Sequence, residues 1–259
     1  MEHMDDLKRV ILPHRAYRVI SGSKEKILLD IAVLVFLLGA FIYFSEPVVS
    51  TVVDISYSVL DDMYSGLEVH NHGFGLWSFK HLSTYGKYPS ELFSTVVLIV
   101  SILSGFMFLK INRLKNVFLF LAFVSFMVGV SSLYFMFFIE EFPYSLETFL
   151  QIYIDVVFIA WISTALILLL SISPFPTSLF QKILFFTLFL LVSVGVGIVR
   201  YMFVVVVLKE FTYIFAPILF FVFGPLIDLI YMVFIFGVFV SLVTYKKSKD
   251  IRVWKWVGW

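Results

Sequence analysis

The 259-residue chain has no cysteine, which excludes a disulfide framework, a thiolate metal site and a cysteine nucleophile. Charge is scarce too: 14% of residues are Asp, Glu, Lys or Arg, against 61% hydrophobic ones. That balance lies outside the range of soluble domains and fits a chain that crosses a bilayer several times. A formal net charge of +1 offers no bulk basicity, so nucleic acid is not an expected partner. Gly73, Gly75, Gly86 and Pro89 read as turns, since neither a strand nor a Lys-Ser/Thr pair follows to make a phosphate loop. No internal repeat is visible, and no cofactor is expected.

What the chain does have is apolar runs, with 32 Phe and 13 Tyr suited to lipid-facing surfaces and interfacial belts. A helix needs about 20 apolar residues to cross about 30 Å of hydrocarbon. Runs at 27–44, 92–109, 117–138, 149–171 and 179–208 meet that length. The run 211–243 is too long for one straight crossing and is interrupted by Pro217 and Gly224-Pro225. It reads as a re-entrant piece to about residue 223, then a sixth span. The expected fold class is therefore all-α, a polytopic membrane bundle of about six transmembrane helices. The first run is read as a retained span because no small-residue cleavage site follows it.

Fifteen Lys and Arg fall in the N-terminal segment, the turns around Lys110 and Lys182 and the tail, while the opposite loops hold only Lys80, Lys87 and Lys209. The positive-inside rule then makes both termini cytoplasmic in a multi-pass protein of the cell membrane. Three parts follow: a basic segment 1–26, a membrane domain 27–243 with an extracytoplasmic cap at 45–91, and a basic tail 244–259. The tail carries Trp254, Trp256 and Trp259 among its lysines and reads as an anchor on membrane lipids. Asp30, one turn from Lys26, reads as a headgroup-level pair.

In the cap, Val48, Val52, Ile55 and Val59 stand at helical spacing opposite Asp54, Ser58 and Asp61, a pattern for an amphipathic helix along the membrane surface. His70, His72 and His81 follow. Two histidines two apart near acids are candidate metal ligands, but such a pair also arises in solvated loops. The expectation is a loop, with no metal assigned.

Four residues inside the apolar runs invite a functional reading: Gln151 and Asp155 in the fourth run, Arg200 in the fifth and Asp228 in the sixth. Intramembrane charges face a partner or a wet cavity. Glu147, Gln151 and Asp155 lie at i,i+4 on one helix face, and the three charges are expected to converge at one level near the exterior. Such a cluster serves either to lock the helices together or to form a site. An aspartyl protease needs two carboxylates sharing a proton, which Arg200 opposes. A transporter or channel subunit would use the broken helix between Pro217 and Pro225, and a structural subunit of a membrane complex is the third possibility.

A polar residue opening one span, a short proline-containing turn and a second span ending in Val196-Gly197-Ile198-Val199-Arg200 resemble the core of the archaeosortase/exosortase family. That resemblance implies a multi-span membrane (trans)peptidase that processes C-terminal sorting signals of surface proteins. The family pairs a cysteine in a Cys-Ser/Thr-Gly motif with the arginine of an Asn-x-x-Arg motif, followed by a histidine or another arginine. Arg200 matches the arginine and Gly197 stands at the Asn. Asp155-Val156-Val157 falls at the cysteine motif without the nucleophile, and no histidine follows Arg200. A carboxylate attacks an amide poorly compared with a thiolate. The expectation is thus a catalytically silent relative, with Arg200 and Asp155 at the former catalytic positions. Gln151, Asp228 and Glu147 would bind the tail of a surface protein or another membrane partner.

Overall fold

The computed structural model of the chain describes residues 16–20, 24–111, 115–142, 144–247 and 254–258. The remainder of the basic N-terminal segment, Arg113, Pro143, Lys249, Arg252 and Trp259 lie outside the described residues. The architecture is all-α. Six helical stretches are long and apolar enough to cross a membrane: Glu25–Tyr43, Glu91–Lys110, Lys115–Phe137, Leu146–Ile172, Leu179–Glu210 and Tyr213–Tyr245.

In order, the elements are β1 (Ala16–Ile20), α1 (Lys24–Tyr43), α2 (Ser45–Leu60), β2 (Glu68–Phe74), β3 (Trp77–Ser83), α3 (Glu91–Lys110) and α4 (Lys115–Phe137). Then come α5 (Leu146–Ile172), α6 (Leu179–Glu210), α7 (Ala216–Phe221), α8 (Ile227–Lys247) and β4 (Trp254–Gly258). The helix starts follow local chemistry. Ser90 caps α3 by accepting the Phe93 N–H at 3.2 Å, and Ser145 accepts the Thr148 N–H at 3.1 Å at the head of α5. The expected interruption of the last apolar run is real. A π turn, Val222–Leu226, separates α7 from α8, with Gly224 at non-helical φ −90°, ψ −117° beside Pro225, which cannot donate to a helix ladder.

The chain folds as two compact units. The larger comprises Phe41–Ser163 and Leu191–Ile230. Its core joins Val49, Val52 and Leu60 of α2, Phe79 and Leu82 of β3, Leu150, Tyr153 and Trp161 of α5, and Tyr201 and Leu208 of α6, all buried. Small residues bring α3 and α4 together: Ser104 donates to Ser125 Oγ at 3.1 Å, and Gly129 faces Ser101.

Helix α2 forms where the spacing places it, and packs one face on the protein. Val49, Val52, Val53, Ser56 and Leu60 are buried, while Ile55 and Val59 are 40% and 47% exposed. The reason is that α2 packs on β3; Asp54 also pairs with Lys80 Nζ of that strand at 2.8 Å. The segment after it is a β-hairpin, not a loop. β2 and β3 pair antiparallel across Gly75-Leu76, and Gly75 has φ +58°, as the first central residue of a primed turn requires.

The smaller unit comprises Met1–Ala40, Thr164–Leu190 and Tyr231–Trp259. Leu34, Leu168, Phe186, Phe189 and Phe239 are buried in it, and Phe239 meets Phe175 and Phe185 edge-on at 5.5 and 5.3 Å. Asp30 has a partner far along the chain, not only a neighbour one turn away. It is buried and accepts from Lys182 Nζ, which also donates to the Ser173 carbonyl. The tight turn at 173–178 brings the first turn of α6 back beside Ser173, so the lysine stem turns inward. The backbones of β1 and β4 pair antiparallel, from Ala16 with Gly258 to Ile20 with Trp254, an arrangement the surface-anchor reading of the tail did not include.

Candidate functional site

The hairpin of the larger unit carries the most chemistry. Its register sets His70 opposite His81 and His72 opposite Phe79. Residues directly opposed in a ladder share a face, as do residues two apart in a strand. One face therefore holds His70, His72, His81 and the aromatics Phe74, Trp77 and Phe79. Phe158 of α5 receives that aromatic patch edge-on, its ring 5.1 Å from Phe79, 5.8 Å from Trp77 and 6.2 Å from Phe74. Burying Phe79 and Phe158 contributes about 1.5–3 kcal/mol each. On α6, Tyr201 accepts the Leu82 N–H at 2.9 Å through its hydroxyl, and Lys209 donates to Thr84 Oγ1 at 3.1 Å.

Seated this way, the histidines meet the carboxylates of α5. His70 Nδ1 lies 2.8 Å from Glu147 Oε1, and His70 Nε2 lies 3.2 Å from Glu68 Oε2. His72 Nε2 is 2.9 Å from Asp155 Oδ1, and its Nδ1 is 3.0 Å from His81 Nδ1. His81 Nε2 faces Glu147 Oε1 at 3.5 Å, at the outer limit of a hydrogen bond, and this buried nitrogen has no closer polar partner among the described residues. The hydrogen bond to Glu147 holds His70 above the ordinary histidine pKa of 6.5. His81 goes the other way, lowered first by burial and then by the neighbouring His72.

Arg200 sits elsewhere in the same unit and is almost completely buried. Its Nη1 donates to Asp228 Oδ2 at 2.9 Å and to the carbonyls of Gly224 at 3.1 Å and Phe223 at 3.4 Å. Tyr153 also donates to the Phe223 carbonyl, at 3.1 Å. The break at Gly224 frees carbonyls that a regular helix would bond internally, and these donors serve them. Asp228, in the first turn of α8, has its carboxylate at the positive end of that helix dipole. Trp161 underlies the guanidinium at 5.9 Å.

The expected convergence of three charges is therefore corrected. Arg200 and Asp228 pair, but Asp155 turns to His72 and Glu147 to His70. Gln151, between those two acids on α5, is half-buried and joins none of these hydrogen bonds. The shared face of Glu147 and Asp155 was visible in their spacing; the histidine partners were not. The missed signal is the alternation of His70, His72 and Phe74 with Trp77, Phe79 and His81 across a two-residue Gly-Leu turn. Gly197, at the position of the motif asparagine, has a structural reason: a Cβ there would lie 2.3 Å from Trp161 Cζ2.

Two hollows flank the site. An open, almost wholly apolar groove of about 720 Å³ runs between α4, α5 and α7, lined among others by Phe126, Tyr134, Phe149, Tyr213, Pro217 and Phe221. A polar hollow of about 230 Å³, walled by Glu68, Ser145, Glu147 and Tyr88, shares Tyr213 with it. No family model, curated protein or solved structure matches this chain.

Proposed function

We propose that this chain is a multi-pass protein of the cell membrane, with both termini cytoplasmic, that holds the apolar C-terminal tail of a surface protein without cutting it. The groove between α4, α5 and α7 carries the reading. Its size suits an extended apolar segment, and its open side would meet lipid in a membrane, so a membrane-anchored chain could enter sideways. The polar hollow at Tyr213 would then receive the polar flank of that segment. The occupant is the one implied by the resemblance to archaeosortases and exosortases, and the lack of cysteine argues for binding over cleavage.

Arg200 and Asp228 serve in this reading as a brace for the broken helix, not as binding residues. The carbonyls at the break, which a transporter would offer to an ion, are already bonded to Arg200 and Tyr153. A second reading, a structural subunit of a membrane complex, draws on the closed Arg200–Asp228 pair alone.

A photo-crosslinking side chain at Val130 or Ile152 in the groove tests the proposal in cells. The expected product is an adduct carrying peptide from a membrane-anchored surface protein, weakened when Phe149→Ala or Phe220→Ala is added. Adducts of phospholipid alone would overturn it. A stoichiometric partner that copurifies while the groove stays unlabelled would favour the structural subunit.

A further inference from the structure

Beyond the groove and whatever occupies it, the hairpin face holds the parts of a metal centre. We propose that His70, His81 and Glu147 bind one first-row divalent cation of the zinc class, with Glu68, His72 and Asp155 orienting the two imidazoles.

The donor atoms come first. One ligand atom from each of His70, His81 and Glu147 lies within 4.8 Å of the other two. The closer edges are His70 Nδ1 to Glu147 Oε1 at 2.8 Å and His81 Nε2 to the same oxygen at 3.5 Å. A tetrahedral ion with ligands about 2.0–2.1 Å away spaces them by about 3.3 Å. Those two edges straddle that value, and the third, between the two imidazoles, is no longer than 4.8 Å. Two histidines and a glutamate are a donor set that zinc accepts while keeping a fourth position open.

The support behind the donors points the same way. A metal-bound imidazole normally engages its other nitrogen with a carboxylate or another acceptor, which fixes the tautomer. His70 presents Nδ1 to the centre while Nε2 reaches Glu68. His81 presents Nε2 while its Nδ1 reaches His72, whose own Nε2 reaches Asp155. The protons can run in one direction: His72 Nε2–H donates to Asp155, and His81 Nδ1–H donates to His72 Nδ1. His81 Nε2 is then a bare lone pair aimed at the Glu147 carboxylate. Two electron-rich groups facing each other at 3.5 Å, one on a histidine only 3% exposed, leave a place for a cation. Without an ion, the long contact to Glu147 compensates the buried Nε2 only weakly.

A role follows from access. Glu147 and Glu68 also wall the polar hollow, so water or a ligand oxygen can reach the fourth position. Asp155, read from sequence as a relic of a nucleophile, becomes the outermost support of the centre.

The test uses the full-length protein in nanodiscs, stripped with chelator and then dialysed against zinc. The expected result is one zinc per chain by elemental analysis, and a tetrahedral visible spectrum when cobalt replaces it. His81→Ala and the isosteric Glu147→Gln should each abolish retention, and His72→Ala should weaken it roughly 10–100-fold, as loss of an orienting partner does. Glu147→Gln alters an accessible side chain, so its elution profile reports whether the fold survives if His81→Ala fails to fold. Retention unchanged in Glu147→Gln, a stoichiometry near zero, or an octahedral cobalt spectrum would overturn the inference. Zinc lost only on His3→Ala or His14→Ala would overturn it too, by moving the ion to the N-terminal segment. None of these readouts depends on what lies in the groove.

Discussion

Asp228→Asn is the most informative single change, because it removes one charge of a buried pair and almost no volume. The Asp228 side chain is fully buried and that of Arg200 is 2% exposed. In the native protein Nη1 has one carboxylate and two carbonyls as acceptors, while Nε and Nη2 have no hydrogen-bond partner among the described residues. The substitution leaves a cation whose remaining compensation is two carbonyls and the face of Trp161. Stranding one member of a buried pair costs about 3–5 kcal/mol. Arg200→Met alone should cost a similar amount, because it removes the cation from a buried carboxylate and also takes a donor from the Gly224 carbonyl. The double variant Arg200→Met/Asp228→Leu removes both charges, so it should fall short of the summed single costs by at least about 2 kcal/mol. The assay is reversible unfolding in mixed micelles with increasing SDS, followed by tryptophan fluorescence for all four corners of the cycle. Additivity within about 0.5 kcal/mol, or a cost below about 1 kcal/mol for Asp228→Asn, would refute the brace.

Three further outcomes follow from the larger unit. Gly197→Ala sets a Cβ 2.3 Å from Trp161 Cζ2, which should destabilise by about 1–3 kcal/mol; the same unfolding assay checks it, and a neutral result would mean the indole moves freely. Tyr201→Phe leaves the buried Leu82 N–H without its acceptor at 2.9 Å. It should cost about 1–3 kcal/mol and speed hydrogen exchange at the Leu82 amide, and unchanged exchange would show that the tyrosine does not hold the hairpin. The last concerns pH in metal-free protein. Since the folded state holds the His70 proton more tightly than the unfolded chain does, the stability it contributes is complete below pH 6.5. It is lost as pH rises through the elevated folded value. Glu147→Gln should bring the His70 ring titration down toward 6.5, read by NMR of the imidazole protons; an unmoved titration would break the assigned contact.

Much of this was legible along the chain, and what was not has a common cause. Apolar run length predicted all six candidate spans, and Gly224-Pro225 predicted the break between α7 and α8, because span length and proline geometry are local properties. The spacing of Glu147 and Asp155 correctly put both acids on one helix face. Their partners were misjudged because a charge in an apolar run shows that a partner is needed, never which one. His72 is 83 residues from Asp155 in sequence, and only docking of the hairpin on Phe158 brings them together. Which face of α2 packs on the protein was not legible for a related reason: its periodicity fits more than one stripe, and β3 decides which stripe is covered. Asp30 looked satisfied by a neighbour one turn away, while Lys182, 152 residues on, is the partner that buries it.

The sequence by itself determined that this is a polytopic helical chain, where its spans fall and which residues are too costly to leave unpaired, since hydrophobic transfer and backbone satisfaction in lipid act on each segment separately. Tertiary structure alone decided the pairings: Arg200 with Asp228 at the helix break, and the histidines of one hairpin with the acids of α5. Hydrogen bonds and ion pairs extend only about 3 Å, so they are set by which elements pack side by side, and distance along the chain carries no record of that.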